Sequence, residues 1–216
     1  VITVGLTGNL SCGKSTIARR LRELGAVVVD ADALVHAALA KGGEAVPAVL
    51  ARFPGTGAGR GGVDRAALAK LVFADEAARR DLEALLHPIV WRHQANERER
   101  ARAQGASVFV VEAALLYEAW RNGGADPRSR FDVIVVVTCD PRVQLERAIA
   151  RHPLTSAGRR ADAEREVNAR LLAQMPQAEK AALADIVLDN SGDPEEARAR
   201  ADLLFSDLER RAIGSP

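Results

Sequence analysis

Gly8-Asn9-Leu10-Ser11-Cys12-Gly13-Lys14-Ser15, followed by Thr16, is the stretch that decides the fold. It matches G-x-x-x-x-G-K-[ST] and stands between a β-branched run at residues 1–4 and a helical pattern from about Lys14 to Leu24. The glycines let the backbone curl so that successive N–H groups point at phosphate oxygens, and the following helix adds the positive end of its dipole. A turn with incidental glycines would explain neither the lysine nor the hydroxyl at these offsets. The motif therefore makes Gly8 to Thr16 a nucleotide-phosphate site, with Lys14 reaching the β- and γ-phosphates and Ser15 ligating Mg²⁺.

Outward from the loop, short uninterrupted apolar runs recur at Val27–Val29, Val108–Val111, Val133–Val137 and Ile186–Leu188. Such runs suit a parallel sheet covered on both faces. Between them lie helical patterns over Arg65–Phe73, Glu76–Leu86, about Pro88–Ala103, Pro141–Ala150, Ala161–Gln174 and Glu195–Arg211. The alternation predicts an α/β P-loop fold of about five parallel strands in three layers. We expect one domain over 1–216: a core at 1–32, 107–146 and 183–212, a helical acceptor-binding lobe at about 33–106, and a lid at about 147–176. Phe53–Val63, with five glycines, and Pro153–Gly158 read as loops. Gly57, Gly59 and Gly62 formally fit a dinucleotide fingerprint, but neither the strand nor the helix that it needs flanks them. The last residues, Ile213–Pro216, read as a solvated tail.

Composition narrows the function. Thirty basic and 29 acidic residues leave a formal charge of +1, so nothing global argues for a nucleic acid or an anionic membrane as partner. No apolar stretch approaches the roughly 20 residues of a membrane-spanning helix. Cys12 and Cys139 fit no metal-ligand spacing, and the chain opens on a strand-like run instead of a signal peptide, so a reducing cytoplasm is the expected setting. A guanine-reading N-K-x-D is absent, the last strand running into Leu188-Asp189-Asn190-Ser191, which counts against a GTPase switch.

Asp30-Ala31-Asp32 follows the second strand, at the edge of the sheet where open α/β folds bind ligands. Asp32 is the candidate general base for an acceptor hydroxyl; helix capping is the competing role for either acid. Arg147 and Arg151 lie four apart on one helix face, with Arg159, Arg160 and Arg170 beyond. Arginines brought in by a closing lid would stabilise a transferring phosphoryl group, while a solvated helix face explains them equally well one at a time. His87-Pro88 falls between two predicted helices, where helix-start geometry and a functional role explain it equally well.

Taken together, the chain resembles the dephospho-coenzyme A kinase family from about Ile2 to Leu204. The likeness rests on Gly5-Leu-Thr-Gly8, Gly25-Ala26, Val29-Asp30-Ala31-Asp32, Asp64-Arg65 with Leu68 and Val72-Phe73, Leu86-His87-Pro88, Leu115-Leu116-Tyr117-Glu118, Gln144 with Arg147 and Arg151, Arg170 with Gln174, and Asp189-Asn190-Ser191-Gly192. The resemblance implies transfer of the ATP γ-phosphate to the ribose 3′-hydroxyl of dephospho-coenzyme A, with Mg²⁺ accompanying ATP and a monomer or weak homo-oligomer. It implies catalytic roles for Asp32, Lys14, Arg147 and Arg151, ATP contacts from Arg151 and Asn190, and acceptor contacts from Asp32, His87, Leu115, Tyr117, Glu118 and Arg170. The chain departs from the family pattern at Ala114, usually proline, at His36, often arginine, and at Cys12, commonly a small serine-like residue. Another small-molecule kinase, or a nucleotide-dependent binding module, are the rival readings.

Overall fold

The five apolar runs form one five-stranded sheet in the order β2-β5-β1-β6-β7. The computed structural model describes residues 1–214 apart from 60 and 157. In chain order the elements are β1 (Ile2–Thr7), α1 (Lys14–Glu23), β2 (Val27–Asp30), α2 (Ala31–Leu39), α3 (Val46–Arg52), β3 (Gly57–Ala58), β4 (Gly62–Val63), α4 (Arg65–Ala74), α5 (Glu76–Ala103), β5 (Val108–Glu112), α6 (Leu116–Arg121), a 3₁₀ turn (Pro127–Ser129), β6 (Val133–Thr138), α7 (Pro141–Ala150), α8 (Pro153–Ser156), α9 (Arg160–Leu172), α10 (Gln177–Leu183), β7 (Ile186–Asp189) and α11 (Pro194–Gly214). β1 pairs in parallel with β5 and with β6, and β6 with β7. No helix among the described residues is long and apolar enough to cross a membrane.

The chain divides into two compact units. The first, Val1–Val29 with Arg100–Pro216, holds β1, the loop after it, and the helices that follow β5, β6 and β7. Its main core joins Ile2, Val4 and Leu6 of β1 to Ile17 and Leu21 of α1 and to Leu204, Phe205 and Leu208 of α11. Within this unit α7, α8 and α9 gather a small core of their own around Ile149, Ala163 and Val167. The second unit, Asp30–Glu99, has a separate core of Leu39, Val49, Phe53, Leu68 and Leu86.

Four local expectations change. The break at His87-Pro88 is absent: α5 runs unbroken through Pro88. An interior proline forfeits one helical hydrogen bond and crowds the preceding turn, a cost of about 3 kcal/mol; Leu86 and Val90, buried on either side, keep the helix packed. The glycine-rich loop contains the antiparallel pair β3–β4, and Pro153–Ser156 forms a helical turn. Ile213 and Gly214 belong to α11, while Ser215 and Pro216 lie outside the described residues.

Candidate active site

The parallel register sets the phosphate loop at the carboxyl edge of the sheet. Leu6 of β1 lies opposite Glu112, the last residue of β5, and β1 ends at Thr7. The loop then turns through Gly8 at φ 147°, Ser11 at φ 57° and Gly13 at φ 93°. Gly13 caps α1, and a Cβ there would stand 1.9 Å from Asn190 Nδ2; at Gly8 it would meet the Val137 carbonyl at 2.3 Å. Only glycine fits either place, so the motif glycines answer to close approach as well as to backbone angle.

The N-terminus of α1 is left open, unlike those of α2, α4 and α7. Asp30, Asp64 and Asp140 each cap their helices by accepting two backbone N–H groups. Gly13 has no side chain to do so, and no acidic residue occupies the first turn of α1. The orphan N–H groups and the positive end of the dipole are therefore available to an anion. Lys14 Nζ donates to the carbonyls of Gly8 (2.8 Å) and Asn9 (3.0 Å), which draws the ammonium over the mouth of the loop.

Ser15 Oγ donates to Glu112 Oε1 at 2.9 Å. Sequence reasoning missed Glu112. Its signal was an apolar strand, Val108 to Val111, ending in an acid one position beyond where the run was closed. A hydroxyl and a carboxylate at the phosphate loop form the hard oxygen donor set that Mg²⁺ takes when most of its remaining ligands come from phosphate and water. Among the described residues no group of three or more His, Cys, Asp or Glu side chains could hold a metal ion.

The rest of the loop is braced from outside. Asn190, buried, donates from Nδ2 to the Cys12 carbonyl at 2.8 Å. Arg147, expected as a mobile cation, is fixed: it donates to the carbonyls of Asn190 (2.7 Å) and Gly192 (2.9 Å). The Cys12 thiol points inward and donates to the Asn9 carbonyl at 2.9 Å, a bond a serine hydroxyl would also make, and burial pushes its pKa up. Gln144 Nε2 donates to the Leu10 carbonyl (2.7 Å), Gln174 Oε1 accepts from the Leu10 N–H (2.8 Å), and Asn9 Nδ2 donates to the Met175 carbonyl (3.0 Å).

Tyr117 and Glu118, expected to contact the acceptor, also face inward. Tyr117 is buried, and its hydroxyl has no hydrogen-bond partner among the described residues. Glu118 Oε1 lies 2.7 Å from Nζ of the fully buried Lys180 and accepts from Met175 N–H at 2.9 Å. Lys180 also donates to the Ala114 carbonyl at 3.2 Å. Burial pushes the Lys180 ammonium down and Glu118 draws it back. Leu115 is half exposed.

Among the lid arginines, Arg159 pairs with Asp162 and Arg160 with Glu146. Arg151, which ends α7, and Arg170 on α9 are exposed and make no ion pair with a described residue. In the second unit Asp30 takes the capping role: its Oδ1 accepts from Asp32 N–H (2.9 Å) and Ala33 N–H (3.1 Å). Asp32 is exposed in the first turn of α2, so its carboxylate is not the cap. His87 stacks on Trp91 along α5, ring centroids 5.3 Å apart.

Comparison with known proteins agrees over nearly the whole chain. A family model described as dephospho-CoA kinase matches residues 2–196. The dephospho-CoA kinase of Anaeromyxobacter dehalogenans is 44% identical over 207 residues, covering 95% of this chain and 91% of its own. That of Rhodopseudomonas palustris strain HaA2 is 42% identical over 200 residues, covering 93% and 92%. The crystal structure of TT1252 from Thermus thermophilus superposes with a TM-score of 0.78 at 35% identity, covering 96% of this chain and 97% of the other.

Proposed function

We propose how residues divide the work in a chain that belongs to the dephospho-CoA kinase family and phosphorylates dephospho-CoA, the final step in making coenzyme A. The observation that carries the reading is the open N-terminus of α1, with Lys14 over it and the Ser15–Glu112 pair beside it. Backbone N–H groups of the loop hold the β-phosphate, and Lys14 leaves its two carbonyl partners to meet the β- and γ-oxygens. Ser15 and Glu112 hold the Mg²⁺ that accompanies ATP, which when bound offsets the charge on the β- and γ-phosphates.

Asp32 accepts the proton of the ribose 3′-hydroxyl as its oxygen bonds to the γ-phosphorus and the bond to ADP breaks. Asp30 supports that assignment, because it, and not Asp32, is the cap of α2. Arg151 and Arg170 are the cations for the transferring group. Arg147 and Asn190 act on ATP at one remove, by bracing the turn after β7 against the phosphate loop. Acceptor-binding roles fall to His87 and to the exposed Leu115, whereas Tyr117 and Glu118 face the interior of their own unit. One chain supplies every group named, so a cytoplasmic monomer or weak homo-oligomer suffices, with no nucleic acid or membrane. The test is Asp32→Asn, which removes the base and keeps the size of the side chain; turnover collapses while ATP affinity stays.

A further inference from the structure

Leu10 occupies the phosphate loop, yet its side chain packs against the small core that α7, α8 and α9 form around Ile149, Ala163 and Val167. Its backbone is held from the same quarter. The N–H is taken by Gln174 Oε1 at 2.8 Å, just past the end of α9, and the carbonyl by Gln144 Nε2 at 2.7 Å from α7. The preceding residue repeats the pattern, Asn9 donating to the Met175 carbonyl at 3.0 Å. The first half of the loop is thus bonded at three points to the α7–α9 segment and the chain leaving it. The second half, at Cys12, is bonded to Asn190 after β7. A loop that needed only to bind phosphate would require none of these side-chain bonds, since its own backbone supplies the donors.

We propose that Gln174 and Gln144 are positioning residues that make Leu10 a joint between the phosphate loop and the lid, so that seating the nucleotide and seating the lid are one event. The inference rests on the reading of about 147–176 as the lid of a dephospho-CoA kinase, with Gln144 of α7 on the core side of its hinge and Gln174 within it. Neither glutamine touches a reacting atom; each acts through the Leu10 backbone. Breaking the joint loosens the loop and lets water reach ATP under a lid that no longer follows the nucleotide. The acceptor is bound by other residues and is not affected.

Gln174→Met keeps the length of the side chain and removes its oxygen acceptor. The expected result is a KM for ATP raised roughly three- to tenfold, as the loss of one partly buried hydrogen bond implies. The KM for dephospho-CoA stays within about twofold, and ATP hydrolysis without acceptor rises relative to phosphoryl transfer. A purely structural role would not move that last ratio. An unchanged ATP KM with an unchanged hydrolysis ratio overturns the proposal, as do equal rises in both KM values. If Gln174→Met does not fold, Leu10→Ala, which withdraws the side chain from the small core, is read by the same three quantities against the same criteria. A wild-type protein inactive on dephospho-CoA would defeat the functional reading instead; the joint is then tested by ATP-induced shifts in melting temperature, which it requires to be smaller in the variants.

Discussion

Ser15 of the phosphate loop and Glu112 at the end of β5 meet through a 2.9 Å hydrogen bond, brought together because Leu6 and Glu112 are partners across the β1–β5 ladder. In the proposed mechanism this pair would hold the Mg²⁺ that accompanies ATP. Glu112→Gln keeps a hydrogen-bond acceptor for Ser15 and removes a charge. The Mg²⁺ concentration for half-maximal turnover is expected to rise roughly 10- to 100-fold, the range for loss of a group that supports a metal site. A titration of rate against Mg²⁺ checks this, and an unshifted midpoint would exclude Glu112 from the metal site.

Arg147 lies within α7 and Arg151 caps its C-terminus, and their contacts differ. Arg147 is spent on the carbonyls of Asn190 and Gly192, whereas Arg151 has no ion-pair partner among the described residues. Arg147→Met should raise the KM for ATP more than it lowers kcat. Arg151→Ala and Arg170→Ala should instead lower kcat, toward the ~10³-fold that loss of an arginine at a transferring phosphoryl group brings. Steady-state kinetics with each substrate varied separates the two patterns.

The sheet and the phosphate loop were legible in the sequence because buried parallel strands are continuous apolar runs and the loop needs its residue types at fixed offsets. What was not legible is where polar side chains of the loop and its neighbours point. Glu118 looked like a substrate-facing acid, yet its partner Lys180 lies 62 residues on and no local pattern announces the pair. Arg147 was read as mobile because its carbonyl partners belong to a turn 43 and 45 residues away. The short helices α3, α6 and α10 escaped because 6 or 7 residues carry too little periodicity to register.

Lys180 and Glu118 form a buried ion pair whose members cannot be removed singly at low cost. Lys180→Met strands a carboxylate and should destabilise the fold by about 3–5 kcal/mol. Lys180→Met with Glu118→Gln removes both charges, keeps an acceptor for the Met175 N–H, and should recover most of that loss. Denaturant unfolding of the two variants beside the wild type decides it; a double variant no more stable than the single one would contradict the account.

Tyr117 gives a signature in alkali. Burial pushes its phenol up from 10.0 to about 12. Between those values the folded chain holds a proton that the unfolded chain has lost, so this group's contribution is full below pH 10.0 and stability falls as pH rises toward 12. Tyr117→Phe should flatten that limb of the stability curve. At neutral pH it should cost little, because the hydroxyl it removes is buried without a partner among the described residues. Unfolding midpoints measured from neutral pH to 12 check both halves.

The most direct measurement is ADP release from Mg·ATP with dephospho-CoA, AMP, adenosine or no acceptor, for the wild type and Asp32→Asn, with product identity fixed by mass. The account predicts selective conversion of dephospho-CoA to coenzyme A by the wild type. It predicts a loss of ~10²- to 10⁴-fold in Asp32→Asn, the range for a general base, with ATP binding intact. Turnover that prefers another acceptor, or an Asp32→Asn variant as fast as the wild type, would contradict it.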